Sequence, residues 1–180
     1  MLAASCPDGE QRLSRQSSDT DTTEGLLLLG WREWIRLPAL GLPAIKAKVD
    51  TGARTSAIHA FELERVRDDD GRDWVEFSVH PLQRNHELVR RCRAPLVDER
   101  QVTDSGGHTE SRYVVLTRIE IAGISRDIEV TLTARDNMMF RMLLGRTAMT
   151  PDMIVNPALS FNQGRVRAAA LYTGGSTPVA

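Results

Sequence analysis

The chain has 180 residues, and its 23 basic and 24 acidic residues give a formal net charge of -1. This length fits one domain with flanking tails, because a chain of this size can bury about two thirds of its surface around a single core. The balanced charge excludes a whole-chain field that would draw the protein to nucleic acid or to an acidic membrane, so we expect neither as a partner.

Both ends of the chain are predicted to be disordered tails, residues 1–29 and 168–180. The first 24 residues are rich in Ser, Thr, Asp and Gln, and their acidic residues interrupt any signal-peptide pattern. The four leucines at 26–29 fall far short of the about 20 residues that a membrane span needs. Cys6 and Cys92 lie in unlike settings, which predicts free thiols in a reducing, cytoplasmic compartment.

Between the tails, residues 30–167 are predicted to form one domain in which the apolar residues mostly recur with period two, as in half-buried strands. Residues 31–37 are the first predicted strand. The next strand alternates apolar residues with Lys46 and Lys48 and ends at Asp50. The pattern places the domain in the all-β class.

Two hairpins and one short helix complete the pattern. An acidic turn at residues 68–71 separates two strand-like arms, and Ala122-Gly123 separates the two arms of a second, clearer hairpin. A helical pattern appears only at residues 146–149, where Pro151 limits it. These elements predict a closed barrel of strands with one short helix near the C-terminus.

The strand that ends at Asp50 is followed by the turn sequence Thr51-Gly52-Ala53. The glycine predicts backbone angles that other residues avoid, and the amides after Asp50 can bond its carboxylate. Peptide hydrolysis by carboxylates needs two acids, one ionised to take a proton from water and one protonated to polarise the carbonyl. The chain has one Asp-Thr-Gly, so the second Asp50 is predicted to come from another copy across a twofold interface.

A second element follows about ninety residues later, as Met142-Leu143-Leu144-Gly145-Arg146. Together with the Asp50 turn, it resembles the retropepsin-like aspartic peptidases, whose monomers each supply one catalytic aspartate to a homodimer. The longer string over residues 47–60 is similar to a bacterial family formerly labelled ATP-dependent zinc proteases. That family is now grouped with the retropepsin-like endopeptidases and is often found with an ATP-grasp ligase that adds glutamate to protein tails. The resemblance covers about residues 30–163.

The resemblance implies roles for individual residues. Asp50 would be the catalytic acid and base, and Thr51 would brace the two loops across the dimer. Gly52 and Ala53 would meet the backbone of a peptide substrate, while Leu143 to Gly145 would support the site from behind. A water held between two Asp50 carboxylates would attack the peptide bond, with no metal and no cofactor.

Two further questions stay open at this point. Residues 68–73 and 104–109 are both candidates for the flap that covers a substrate. Asp104-Ser105-Gly106 is an acceptable spelling of the catalytic triplet, but polar Gln101 and Thr103 precede it, which favours a surface turn.

The sequence offers little for metal, ATP or nucleic acid. His86-Glu87 begins like a zincin helix, but Arg90 occupies the place of the second histidine, and no phosphate-binding Gly-x4-Gly-Lys loop exists. Arg84, Arg90, Arg91 and Arg93 form the densest basic cluster. Without interleaved aromatic residues this cluster predicts a solvated face, with acidic-peptide binding as the alternative.

The favoured function is an aspartic endopeptidase that acts as a homodimer. Two alternatives remain. The first is a catalytically weak adaptor or modulator of an ATP-grasp glutamate ligase, and the second is a zinc-dependent protease.

Overall fold

The structure is a computed structural model, and it describes residues 26–103, 106–107, 109–134 and 139–173. Its elements in chain order are β1 (Leu27–Gly30), β2 (Arg32–Leu37), β3 (Leu42–Asp50), β4 (Ser56–His59), β5 (Phe61–Arg67), β6 (Asp73–Val79), β7 (Arg90–Thr103), β8 (Thr109–Ile121), β9 (Ile124–Thr133), β10 (Met142–Gly145), β11 (Met153–Asn156) and helix α1 (Ala168–Thr173). Pro38–Leu40 and Arg146–Ala148 form single turns of 3-10 helix. The all-β prediction is confirmed.

Six strands close into a ring in the order β2-β3-β10-β4-β9-β8. The closing pair is β2 with β8, where Arg36 lies opposite Glu120. From β8 the sheet continues through β7, β6 and β5 as an antiparallel arm. Closure leaves no open edge within the ring, and the inward apolar side chains of the alternating strands form a single core.

Both predicted hairpins are present. β5 and β6 are antiparallel, and their last pair before the acidic turn is Arg67 with Asp73. β8 and β9 pair up to Ile121 and Ile124, and the two turn residues between them, Ala122 and Gly123, have φ angles of 51° and 80°. Two successive positive φ angles are the signature of a type I′ turn, whose twist matches that of the strands it joins.

The structure corrects the predicted ends of the domain. Residues 27–29 were assigned to the N-terminal tail, but they belong to β1, which pairs in parallel with β11. Residues 168–173 were assigned to the C-terminal tail, but they form α1, whose Tyr172 hydroxyl donates a 2.6 Å hydrogen bond to the Ala44 carbonyl oxygen. Residues 1–25 and 174–180 lie outside the described residues. No helix of the described part is long and apolar enough to cross a membrane.

Cys92 is the cysteine within the described residues, and it is a free, buried thiol. Its Sγ lies 3.4 Å from the Leu40 carbonyl oxygen. Burial raises the pKa of this thiol to about 12, so it stays protonated at neutral pH.

Glu33 is a fully buried carboxylate that ties the start of the ring to the end of the chain. Its Oε1 accepts hydrogen bonds from the Gly30 amide at 2.6 Å and the Asn162 amide at 2.9 Å, and its Oε2 accepts one from Gln163 at 3.3 Å. A Cβ on Gly30 would lie 2.5 Å from the Leu159 carbonyl oxygen, so only glycine fits between these segments. The junction of β1 and β2 is therefore fixed against residues 159–163.

We expect Glu33→Gln to lower the free energy of unfolding by about 2 kcal/mol, because the amide NH2 would face a backbone donor in either orientation. Urea denaturation measures this loss. Glu120→Gln is the matched control, since Glu120 makes a partly exposed ion pair with Arg36 and should cost at most about 1 kcal/mol. Equal losses in the two variants would contradict the role given to Glu33.

Candidate active site

The site is built where three strand ends converge. β10 lies between β3 and β4, parallel to the first and antiparallel to the second. In this register Gly145 lies beside Asp50, at the point where β3 passes into the loop formed by residues 51–55. The two elements that the sequence singled out, the Asp50 turn and Leu143-Leu144-Gly145, are thus brought together by direct strand pairing.

The Asp50 carboxylate is held by its own loop. Oδ1 accepts hydrogen bonds from the Gly52 amide at 3.1 Å and from the Ala53 amide at 3.2 Å. Oδ2 lies 3.4 Å from the Lys48 ammonium, and about a quarter (26%) of the Asp50 side chain is exposed. The two amide bonds fix the orientation of the carboxylate while it remains accessible to water or a substrate.

Gly52 differs from the expectation in one respect. Its φ angle does not lie in the left-handed region, so a conformation reserved for glycine is not the reason for its presence. A Cβ at this position would lie 3.3 Å from Oδ1 of Asp50, which is tighter than an ordinary contact. The small residue keeps the side of the carboxylate clear.

Gly145 has a sharper steric requirement than Gly52. A Cβ there would collide with the Thr55 carbonyl carbon and would lie 2.6 Å from the Thr55 oxygen and 2.7 Å from the Ser56 nitrogen. All three are backbone atoms, which cannot move aside as a flexible side chain can. The Gly145 amide donates a 3.1 Å hydrogen bond to the Oγ of Ser56, whose side chain is fully buried.

The residues that follow Gly145 hold the Asp50 loop further. The Arg146 amide donates to the Ala53 carbonyl at 2.8 Å, and its guanidinium donates to the Thr51 carbonyl at 3.0 Å. Thr147 donates to the Arg54 carbonyl through both its amide and its hydroxyl. Four hydrogen bonds from two residues therefore fix the loop to the 3-10 turn that follows β10.

Sequence reasoning named Asp50 and Gly145 but missed Ser56, Arg146 and Thr147 as partners. Their signal was weak, because nothing local shows that Ser56 Oγ meets an amide 89 residues further along the chain. Thr51 and Gly52 are exposed at the loop tip, Leu144 is buried, and Ala53 and Leu143 are partly buried.

A cavity of about 620 Å³ opens beside this loop. Its lining includes Arg54, Thr55 and Thr147, residues 100–103 of β7, and residues 127–129 of β9. Of the two candidate flaps, the β7–β8 hairpin contributes residues to this cavity, whereas the 68–73 turn does not. Asp104 and Ser105 of the alternative triplet lie outside the described residues.

The structure also shows where the basic cluster and the zincin-like His86-Glu87 pair lie. The Arg90 and Arg93 guanidiniums lie over the Tyr172 and Trp74 rings, whereas Arg84 follows Gln83, whose side chain accepts a 2.7 Å hydrogen bond from the Lys46 ammonium. His86 lies in the irregular segment between β6 and β7. Within the ranges that the structure describes, no group of three or more His, Cys, Asp or Glu side chains could hold a metal.

A closed strand ring that carries an Asp-Thr-Gly loop, with a Leu-Leu-Gly strand inserted beside it, defines a retropepsin-like domain. Comparison with family models supports this class and identifies the family within it. The chain belongs to the RimB-like family, described as retropepsin-like aspartic endopeptidase RimB, whose model matches residues 28–166.

Curated relatives carry a different kind of name. A probable alpha-L-glutamate ligase from Shewanella pealeana is 44% identical over 142 residues, which are 79% of this chain and 31% of that protein. A protein of the same name from Desulfotalea psychrophila is 45% identical over 144 residues, which are 80% of this chain and 31% of that protein. The chain thus spans about a third of the length of these relatives.

Among solved structures, a Legionella pneumophila protein of unknown function superposes with a TM-score of 0.61 at 28% sequence identity. The match covers 76% of this chain and 97% of that chain. The whole of the Legionella domain is therefore similar in fold to most of this one.

Proposed function

We propose that this protein is an aspartic endopeptidase whose active site forms when two copies bring their Asp50 side chains together. The observation that carries the proposal is the Asp50 carboxylate itself, which the Gly52 and Ala53 amides orient in a partly open loop beside a cavity of about 620 Å³. The sequence contains one Asp-Thr-Gly triplet, and hydrolysis by carboxylates requires two acids.

In the proposed mechanism the two Asp50 carboxyls share one proton, because like charges at short range do not both ionise cheaply. The ionised carboxylate takes a proton from a water molecule as its oxygen attacks the carbonyl carbon of the peptide. The protonated carboxyl gives its proton to the carbonyl oxygen. The tetrahedral intermediate then collapses and its C–N bond breaks. The leaving nitrogen is protonated by the carboxyl that received the proton from water, and one hydroxyl of the intermediate returns its proton to the other carboxylate, which restores the shared proton. No covalent enzyme intermediate forms.

The β1–β11 pair is the proposed dimer contact. Leu28 and Ile154 lie on these strands and are 37% and 41% exposed. The Trp31 carbonyl, directly after β1, accepts a 2.9 Å hydrogen bond from the Val49 amide, so this pair lies close to the strand end that bears Asp50. Addition of a second copy to this short sheet would therefore join the molecules near both catalytic loops.

The β7–β8 hairpin is the proposed flap. Residues 100–103 line the same cavity as Arg54 and Thr55 of the loop that follows Asp50, so a peptide in that cavity would contact both the hairpin and the loop. Covering the peptide in this way excludes bulk water and fixes the scissile bond against the two carboxyls.

Acidic peptides are the proposed substrate class. Lys48, Arg54 and Arg146 place three cationic side chains on or beside the Asp50 loop, and the Lys48 ammonium lies 3.4 Å from the Asp50 carboxylate. The relatives named glutamate ligases support the same class, because a glutamate chain is the acidic peptide that such an enzyme would make. Positive charge beside the cleaved bond would bind carboxylates of the substrate.

We expect pepstatin to inhibit the hydrolysis of glutamate-rich peptides by this protein, because it occupies the site between two catalytic aspartates. A chelator should leave the rate unchanged. The measurement is peptide cleavage followed by mass spectrometry, with each inhibitor tested on the same preparation. Loss of activity with chelator, together with resistance to pepstatin, would favour a zinc-dependent protease and contradict the proposal.

A second candidate function is that of an adaptor for an ATP-grasp glutamate ligase. It is favoured by the names of the relatives, in which the matched part is 31% of a probable ligase. An adaptor would bind the separate ligase and change its rate equally well with Asp50 or with Asn at that position. A peptidase acting on the ligated chains would lose its effect when Asp50 is replaced.

A further inference from the structure

A group of cations and aromatic rings lies on the outer face of β2 and β3, at a distance from the Asp50 loop. We call it the basic–aromatic face, and its members are Arg32, Trp34, Lys46, Arg84, Phe161 and Arg165. The Trp34 and Phe161 rings stack with centroids 6.1 Å apart. The Lys46 ammonium lies 5.2 Å from the Trp34 ring and 5.5 Å from the Phe161 ring.

Two arginines complete the contacts with the Phe161 ring. The guanidinium of Arg32 lies 4.9 Å from its centroid and that of Arg165 lies 5.1 Å from it. Each of the two rings thus lies close to the other ring and to at least one cation. Phe161 holds this position with a φ angle of 56°, a backbone conformation that bulky L residues avoid.

The positive charge of this face is not balanced by the protein. Several other arginines of the described residues are paired with carboxylates, as Arg65 and Arg67 are with Asp73 and Arg118 is with Asp127. In the part of the chain that the structure describes, no carboxylate makes an ion pair with Arg32, Lys46, Arg84 or Arg165. The buried Nε of Arg32 also lacks a hydrogen-bond partner.

The pKa of Lys46 is sensitive to the neighbouring positive charges. Burial lowers the pKa of its ammonium, and the positive charges of Arg32, Arg84 and Arg165 lower it further. Arg84 has a φ angle of 58°, so it too is held in an unfavourable backbone conformation. Cations grouped on one face, with no carboxylate paired to them among the described residues, are the complement of a ligand with several negative charges.

The face is aligned with the candidate active site. Lys46, Lys48 and Asp50 alternate along β3 with the buried residues Ala47 and Val49, so their side chains share the outer face. Arg32 lies opposite Lys48 on β2, and Trp34 lies opposite Lys46. Asp50 follows Lys46 by four positions along β3, a distance of about 13 Å, which an extended peptide of about four residues would also span.

We propose that the basic–aromatic face binds the carboxylates of an acidic peptide about four residues away from the bond that is cut at Asp50. The proposal rests on the proposed peptidase function, and it adds a second binding site that requires a substrate long enough to reach it. Arginine forks bind carboxylates in pairs of parallel hydrogen bonds. Both rings already lie against each other and against cations, and this favours an acidic peptide over RNA, whose bases stack on free aromatic faces.

The test measures binding separately from cleavage, in the full-length Asp50→Asn protein. A fluorescein-labelled glutamate decamer is the probe, and fluorescence anisotropy gives its Kd. Arg84→Gln combined with Arg165→Gln should weaken binding about tenfold, the effect of losing partly exposed charge-assisted contacts. Arg165→Lys should retain most of the affinity. Arg91→Gln, an exposed arginine on β7, is the matched control and should bind as the parent does.

Equal affinity in the double variant and the parent would overturn the proposal, provided that both melt at the same temperature. Tighter binding of an oligouridylate of the same length through these arginines would also overturn it. Failure of the wild-type protein to cleave any peptide would count against the peptidase alone, because the binding measurement does not use catalysis. If cleavage depends on Asp50 but not on Arg84 and Arg165, the basic–aromatic face does not bind the substrate, whereas the peptidase proposal stands.

Discussion

Replacing Asp50 with Asn should lower the rate of peptide hydrolysis by at least about a thousandfold, since general acid–base catalysis alone contributes about a hundred- to ten-thousandfold. Asn is nearly the same size as Asp, and its carbonyl oxygen can still accept the hydrogen bonds that the Gly52 and Ala53 amides donate. It cannot take a proton from water. We therefore expect normal folding and association together with loss of turnover, measured by cleavage of a glutamate-rich peptide.

Because the proposed active site takes one Asp50 from each of two copies, mixing wild-type and Asp50→Asn protein tests the mechanism directly. When wild-type protein is mixed with excess Asp50→Asn protein and allowed to re-equilibrate, mixed dimers hold one catalytic carboxyl each and should be inactive. The activity of the mixture should then fall well below that of wild type diluted with buffer. Activity that simply follows the amount of wild-type protein would show that each copy works alone, and the two-carboxylate mechanism would be wrong.

Replacing Gly145 with Ala should lower the free energy of unfolding by about 3 kcal/mol, at the upper end of the cost of overpacking a core. The new methyl group would meet the backbone of Thr55 and Ser56, the latter nitrogen at 2.7 Å, and backbone cannot rotate away. Because the same contact fixes the end of the Asp50 loop, peptidase activity should fall with stability. Chemical denaturation and peptide cleavage measure the two effects.

Gly52→Ala is the matched control for this prediction. Its Cβ would meet one side-chain oxygen of Asp50 at 3.3 Å, so the free energy of unfolding should change by less than about 1 kcal/mol. A Gly145→Ala protein as stable as Gly52→Ala would mean that β10 can move away from β4 without cost. The close packing of the three strand ends would then not be what holds the site.

The sequence predicted those features that depend on a pattern of neighbouring residues. Period-two alternation gave β3 and the arms of both hairpins, and the glycine after Ala122 gave the turn between β8 and β9. Pairing of β10 with β3 was expected from a family resemblance, because no local pattern shows that Gly145 lies beside Asp50. Strand pairing across a long sequence separation depends on the global fold.

Long-range contacts account for the errors. The leucines before Gly30 were assigned to a polar tail because their partner strand, β11, lies near the other end of the chain. α1 was assigned to a loose tail because the contacts that bury Tyr172, among them its hydrogen bond to the Ala44 carbonyl, come from distant parts of the chain. Arg84 was grouped with Arg90 by proximity in sequence, whereas the fold places it near Lys46.

The insertion of β10 between β3 and β4 also constrains when the site can exist during synthesis. Asp50 leaves the ribosome long before Gly145, so a nascent chain exposes the acid for most of translation without the strand that completes its loop. Domains synthesised from the N-terminus must wait for such late elements before they can fold as a unit. A half-made copy therefore lacks the strand on which the proposed active site depends.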